Sequence, residues 1–181
     1  MFALNISKFK MPIFLAVAAA SLLWIADGSA QNTPHQLNSE LPPVELKSGA
    51  NLALDANEAS EKKLPVLMFF SMKHCPFCVE VEEDYLKPML RNAEYDKKII
   101  IRKIRIDGAD SVRDFKGKER DAGEFSEDYN VSMVPTLVLV DSQGNRLSPS
   151  IVGIANSHYY SAELDNAIEA STQKIRSIAK R

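Results

Sequence analysis

The chain reads as an α/β domain with a central mixed sheet and helices on both faces. Three features of the sequence predict this class. Two short, mostly apolar runs, Pro65–Ser71 and Thr136–Asp141, have the length and composition of buried strands. Stretches of helical composition alternate with them, as they do where helices pack over a sheet. The second run passes into Ser142-Gln143-Gly144-Asn145, a turn sequence that folds the chain back as a hairpin.

Residues 1–30 are set apart as a targeting segment. Lys8 and Lys10 precede an uncharged, mostly apolar stretch from Met11 to Ala26, and Gly28-Ser29-Ala30 supplies the small residues a signal peptidase cuts after. A membrane span needs about 20 apolar residues, whereas this run is shorter and bounded by Pro12 and Asp27. The expectation is a cleaved signal peptide and a periplasmic protein. No cysteine lies near the cleavage site, which argues against a lipid anchor. About 150 residues remain, enough for one domain with a real core. Residues 31–49, polar and interrupted by Pro34, Pro42 and Pro43, read as a flexible lead-in, and the domain proper as 50–181.

Within the domain, Asn51–Lys62 has the Ala, Leu, Glu and Lys content of a helix. Pro65–Ser71 carries its proline only at the first position, as a buried strand tolerates. Cys75–Leu86 reads as a helix, and Pro88 opens a second short piece. Lys98–Ile106, with five isoleucines, is a strand that the crossover helix sets parallel to the first. Asp107–Gly123 is polar and reads as a surface insertion, followed by a short helix over Glu124–Tyr129. After the strand Thr136–Asp141, Arg146–Val152 returns as an antiparallel edge strand containing Pro149. Ser161–Lys180 closes the fold as a helix with Leu164, Ile168, Ile175 and Ile178 on one face.

The chain holds 22 basic and 24 acidic side chains, a formal net charge of −2, and loss of Lys8, Lys10 and Asp27 makes the mature form one unit more negative. A mild acidic excess gives no electrostatic reason to expect nucleic acid or an anionic membrane as partner. The basic cluster Lys174, Arg176, Lys180 and Arg181 suits the negative end of a helix dipole.

The chemistry concentrates in the two cysteines, Cys75 and Cys78. Bridging so small a ring removes little unfolded-state entropy, so stapling is a poor reason for the pair. Zinc would need two further ligands, and His35, His74 and His158 are the only histidines, with no second Cys pair. No metal is therefore expected, and no separate cofactor. A covalent haem site would need histidine at position 79, which is Val79. Two inert cysteines and thiol–disulfide chemistry remain, and the strand before the pair and the helix after it favour the second. Cys75 follows a strand and opens a helix, where unpaired N–H groups and the dipole favour a thiolate, the attacking species in exchange. Cys78, one turn on and less exposed, is placed to resolve the mixed disulfide, and Pro76 takes the first helical position, where its missing N–H is harmless.

From Lys63 onward the chain resembles the thioredoxin superfamily, over roughly residues 50–175. The matching stretches are Pro65-Val66-Leu67-Met68-Phe69-Phe70-Ser71 running into Cys75-Pro76-Phe77-Cys78, then Val134-Pro135-Thr136-Leu137-Val138-Leu139, with Gly144 and Gly153. The resemblance implies the thioredoxin fold, a cis Pro135 facing the dithiol, and a Val134 backbone that pairs with an extended substrate segment. Four positions depart from the family pattern. His74 stands where thioredoxins carry Trp, Pro76-Phe77 replace Gly-Pro, and Phe69 occupies the place of a buried acid. Glu80 and Glu82 are candidates to replace that acid through water, but each reads first as a solvated helix face. The stretch Asp114-Phe115-Lys116-Gly117-Lys118 through Tyr129-Asn130-Val131 is similar to exported thioredoxin-like proteins of sulfur oxidation.

Phe77 between the cysteines offers no hydrogen-bond donor to a thiolate, and Glu80, Glu82, Glu83 and Asp84 disfavour one, against a favourable charge from His74. The expected direction is therefore reduction, of protein or small-molecule disulfides, by a monomer kept reduced through a membrane electron-transfer partner. An oxidase or isomerase of the Dsb type is the alternative. A redox-inactive peptide-binding module beside Pro135 is a reading of another class. Tyr159, Tyr160 and Met133 are candidate groove residues, better accounted for by packing.

Overall fold

The computed structural model describes residues 43–179. The segment expected to be a signal peptide, residues 31–42 of the expected lead-in, and Lys180 and Arg181 lie outside the described residues.

The chain enters through residues 47–49, which pair alongside the edge of the sheet. Lys103 N–H donates to the Lys47 carbonyl at 2.9 Å, and Gly49 N–H donates to the Lys103 carbonyl at 2.8 Å. This part of the expected lead-in is tied into the fold by backbone bonds, which its polar composition did not reveal. Helix α1 (Leu52–Lys62) follows, capped by the Asn51 side chain and closed by Lys63 in a left-handed conformation. Strand β1 (Val66–Ser71) is buried along its whole length.

A continuous helical run then spans α2 (Pro76–Glu80), a π-helical segment (Val81–Leu86) and α3 (Lys87–Arg91). Sequence signals predicted a break at Pro88. Instead the backbone widens before it, Lys87 N–H reaching back five residues to the Glu82 carbonyl, so the run absorbs a residue without an N–H to give. A 3₁₀ turn (Tyr95–Lys97) leads to β2 (Ile100–Arg105).

The stretch expected to be a plain surface insertion folds into a hairpin of its own, β3 (Ser111–Arg113) paired antiparallel with β4 (Glu119–Asp121). Its turn is built on Asp114, whose carboxylate accepts the Lys116 and Lys118 N–H groups at 2.9 Å each. The three-residue strands are too short to show alternation, which is why periodicity missed them. Helix α4 (Ala122–Glu127) is capped by Asp121 and starts two residues earlier than expected.

Strand β5 (Thr136–Val140) precedes the predicted turn, where Asp141 accepts N–H groups from Gln143 and Asn145. The return strand is much shorter than the sequence suggested. Only Ile151–Val152 form β6, with one isolated bridge between Val140 and Arg146. Pro149 lacks the donor a ladder needs and falls in the interruption. Helix α5 (Ser157–Ile178) begins four residues before the expected start, capped by the Asn156 side chain. Leu164 and Ile168 on it are buried as predicted, whereas Ile178 is exposed.

The sheet order is β2-β1-β5-β6, with β1 and β2 parallel and the remaining pairs antiparallel. Alternate residues of β1 divide between two cores. Leu67 and Phe69 join Val81, Leu86, Tyr160 and Leu164 under α2–α3 and α5. Val66, Met68 and Phe70 join Leu52, Ala59 and Phe125 under α1 and α4. Helices therefore cover both faces, as the mixed-sheet reading required.

Candidate active site

β1 ends at Ser71, and after three intervening residues the chain reaches Cys75, the N-cap of α2. Cys75 and Cys78 are joined as a disulfide with Cα atoms 5.2 Å apart, within the ordinary range for such a bridge. The Cys75 sulfur accepts the Cys78 N–H at 3.1 Å, and Pro76 holds the first helical position. Cys75 is half-buried and Cys78 only 4% exposed. Cys78 sits in the apolar cluster of Phe69, Val81 and Leu139. One sulfur is thus presented at a helix N-terminus and the other stored beneath it.

Phe77, 62% exposed, projects from the loop. His74 is exposed and takes a left-handed backbone with φ of 60°, an uncommon state for a residue with a side chain. The Val134–Pro135 peptide bond is cis. Pro135 is buried, and its carbonyl accepts the Gly153 N–H at 2.8 Å. Because Thr136 pairs with Phe70 across β5 and β1, Val134 and Pro135 lie at the sheet end from which the cysteine loop leaves. The structure therefore brings the seven sequence-predicted positions, His74 through Cys78 with Val134 and Pro135, to one end of the sheet.

Other residues at that end went unnoticed in the sequence. Met72 and Val152 are exposed apolar side chains there, alongside Met133 and Tyr159. Tyr160 is fully buried beneath the site and belongs to the core. Glu82 is not a solvated helix face. Its carboxylate meets the Lys103 ammonium at 2.5 Å, and its side chain is 17% exposed. Lys103 pairs with Phe69 in the parallel register, so it lies on the sheet face that carries Cys78. The signal available was the isoleucine pattern of β2, which sets Lys103 and Ile101 on one face. Glu80 is partly exposed and has no ion pair among the described residues. Among the described residues no group of three or more His, Cys, Asp or Glu side chains is placed to hold a metal.

A family model described as a thioredoxin-like domain matches residues 52–168. No curated protein matches the chain. Among solved structures, DsbH oxidoreductase aligns over 74% of this chain and 92% of its own, at 14% identity and a TM-score of 0.51. A thioredoxin variant from Halobacterium salinarum aligns over 75% and 96% at 21% identity and a TM-score of 0.46. The thioredoxin of Fasciola hepatica aligns over 68% and 97% at 17% identity, also with a TM-score of 0.46. At these identities the DsbH likeness bears on the fold alone.

Proposed function

The chain belongs to the thioredoxin-like domain family and has the thioredoxin fold, and from that premise we propose that it is an exported thiol–disulfide oxidoreductase working mainly as a reductase. The observation that carries this reading is the Cys75–Cys78 disulfide, with one sulfur at a helix N-terminus and the other buried beneath it.

In the reducing direction the Cys75 thiolate attacks one sulfur of a substrate disulfide. A mixed disulfide forms and the other substrate sulfur leaves as a thiolate, taking a proton from solvent. Cys78 then gives up its proton and attacks the Cys75 sulfur, which releases the second substrate thiol and leaves the Cys75–Cys78 bridge. Two electrons pass to the substrate. A dithiol donor, expected on the membrane, restores the reduced pair. Val134 supports the docking of an extended substrate segment, because among the described residues its backbone makes no hydrogen bond. The exposed Phe77 supports the reducing direction, since it supplies no donor to a Cys75 thiolate. Export and the likeness to sulfur-oxidation proteins rest on the sequence.

The test is turnover of a protein disulfide by a dithiol donor. Cys75→Ser is expected to abolish it, and Cys78→Ser to accumulate a mixed disulfide visible by mass. Absence of turnover in the unsubstituted protein would leave a peptide-binding role as the better reading, and turnover surviving in Cys75→Ser would remove Cys75 as the nucleophile. Direction is read from equilibrium with glutathione, scored by mass after thiol alkylation, because Trp24, the only tryptophan, precedes the mature domain. A potential near about −120 mV, that of the strongest oxidants, would overturn the reductase assignment.

A further inference from the structure

The residues between β1 and Cys75 have to hold a half-buried sulfur at a helix N-terminus, yet they are only Met72, Lys73 and His74. Met72 and His74 are exposed, and His74 sits in the left-handed region. Such a segment has little packing of its own to fix it. Its anchor comes from the bend that follows the neighbouring strand β2. The Asp107 carboxylate accepts the Lys73 N–H at 2.7 Å. Among the described residues no other hydrogen bond reaches residues 72–74 from outside them.

Asp107 is itself held. Two residues before it, the Arg105 Nε lies 3.7 Å from its second oxygen, while the far end of the same guanidinium binds Asp110 at 3.0 Å. The Ile106 N–H donates to the Ser71 carbonyl at 3.0 Å, which prolongs the β1–β2 ladder to the base of the loop. The Asp107 side chain is 18% exposed, although the residue as a whole and the bond it makes to Lys73 lie at the surface. A carboxylate accepting a backbone N–H is among the stronger hydrogen bonds a protein makes.

We propose that Asp107 is a positioning residue for the dithiol, fixing the Lys73–His74 turn and through it the place of Cys75 at the N-terminus of α2. This deepens the oxidoreductase reading and rests on Cys75 being the attacking thiol. Asp107 touches neither cysteine, and its action passes through the backbone of residues 73 and 74. The interaction asks for an acceptor at that point rather than for a negative charge. Asparagine, with a carbonyl oxygen in the same place, therefore preserves it, and alanine does not.

The experiment measures alkylation of Cys75 by iodoacetamide at neutral pH in the reduced, folded full chain, together with disulfide turnover. Asp107→Ala is expected to slow alkylation on the order of tenfold, the loss of one charge-assisted hydrogen bond, while Asp107→Asn stays close to the unsubstituted rate. Because Asp107→Ala also removes the ion pair with Arg105, a backbone ester at residue 73 serves as the second variant. It deletes the donor, leaves Asp107 and Arg105 in place, and is expected to slow alkylation as alanine does. Unchanged rates in the ester overturn the proposal, and so does an Asn variant as slow as the Ala variant. If the unsubstituted protein shows no disulfide turnover while the alkylation differences hold, the oxidoreductase reading falls and the positioning role stands.

Discussion

Phe77 and Gly144 each hold a place for a reason that a single substitution can expose. Phe77 lies between the two cysteines in sequence and is mostly in solvent, so it contributes apolar surface but no polar hydrogen to a thiolate. Phe77→His supplies both a donor and partial positive charge. It is expected to stabilise the reduced form and shift the potential in the oxidising direction on the order of 30 mV, the equivalent of about 1.4 kcal/mol for a two-electron couple. The glutathione equilibrium reads this directly, and a shift in the reducing direction contradicts the role given to Phe77. Gly144 lies in the turn after β5 with φ of 82°. A Cβ placed there would come within 2.7 Å of the Phe115 ring and 2.9 Å of the Tyr129 hydroxyl. Gly144→Ala therefore meets a left-handed penalty of about 1–2 kcal/mol and crowding of about 1–3 kcal/mol. Urea unfolding is expected to show a loss of about 2–5 kcal/mol, and a loss below about 0.5 kcal/mol would mean that the turn yields freely.

Strand β2 shows how an element with alternating charges becomes part of two interfaces. Arg102 points to the α1 face and meets Asp55 at 2.5 Å, while Lys103 points to the opposite face and meets Glu82. Lys103→Leu leaves the mostly buried Glu82 carboxylate without its cation. Glu82→Leu leaves an ammonium that retains more access to water. The first is expected to cost about 1–3 kcal/mol and the second less. The double Leu variant is expected to be less destabilised than the sum of the two, since apolar side chains replace a buried pair at little cost. A double-mutant cycle in urea checks this, and strict additivity would mean that the pair is uncoupled. At this scale the sequence was legible where burial imposes a long, uniform pattern. β1, β5, α1 and the parallel placement of β2 follow from apolar runs and the crossover helix. The hairpin β3–β4, the truncation of β6 and the π segment were not legible, because three-residue strands, Pro149 and Pro88 act through local hydrogen bonds that periodicity does not record. The same division holds for the candidate site. Cys75, Cys78 and Pro135 were readable as motifs along the chain, whereas Glu82, Lys103 and Asp107 acquire their places from the β1–β2 pairing and the helix over it.

At the scale of the whole molecule, tyrosine side chains join segments far apart in sequence. The Tyr95 hydroxyl donates to Asp165 at 2.7 Å, tying the turn before β2 to α5. The Tyr129 hydroxyl donates to the Gly144 carbonyl at 3.0 Å, tying the end of α4 to the β5–β6 turn. Tyr160 packs its ring 4.5 Å from that of Tyr85, joining α5 to the helix that carries the dithiol. Each of these phenols resists ionisation in the folded state. The hydrogen bond to Asp165, followed by burial, pushes Tyr95 up to about 12. Burial pushes Tyr129 up to about 12 and drives Tyr160 upward as well. An unfolded phenol titrates near pH 10. A group whose folded value is raised contributes stability that is fully present below its unfolded value and lost as pH climbs through the folded one. The urea midpoint is therefore expected to hold steady from pH 7 to about 9.5 and to fall between about 10 and 12. Lysines titrate in the same range, so the variant comparison decides the cause. Tyr95→Phe, which has no proton to lose, is expected to show a shallower alkaline fall than the unsubstituted protein. Equal slopes in the two proteins would assign the alkaline loss to other groups and remove Tyr95 from the account.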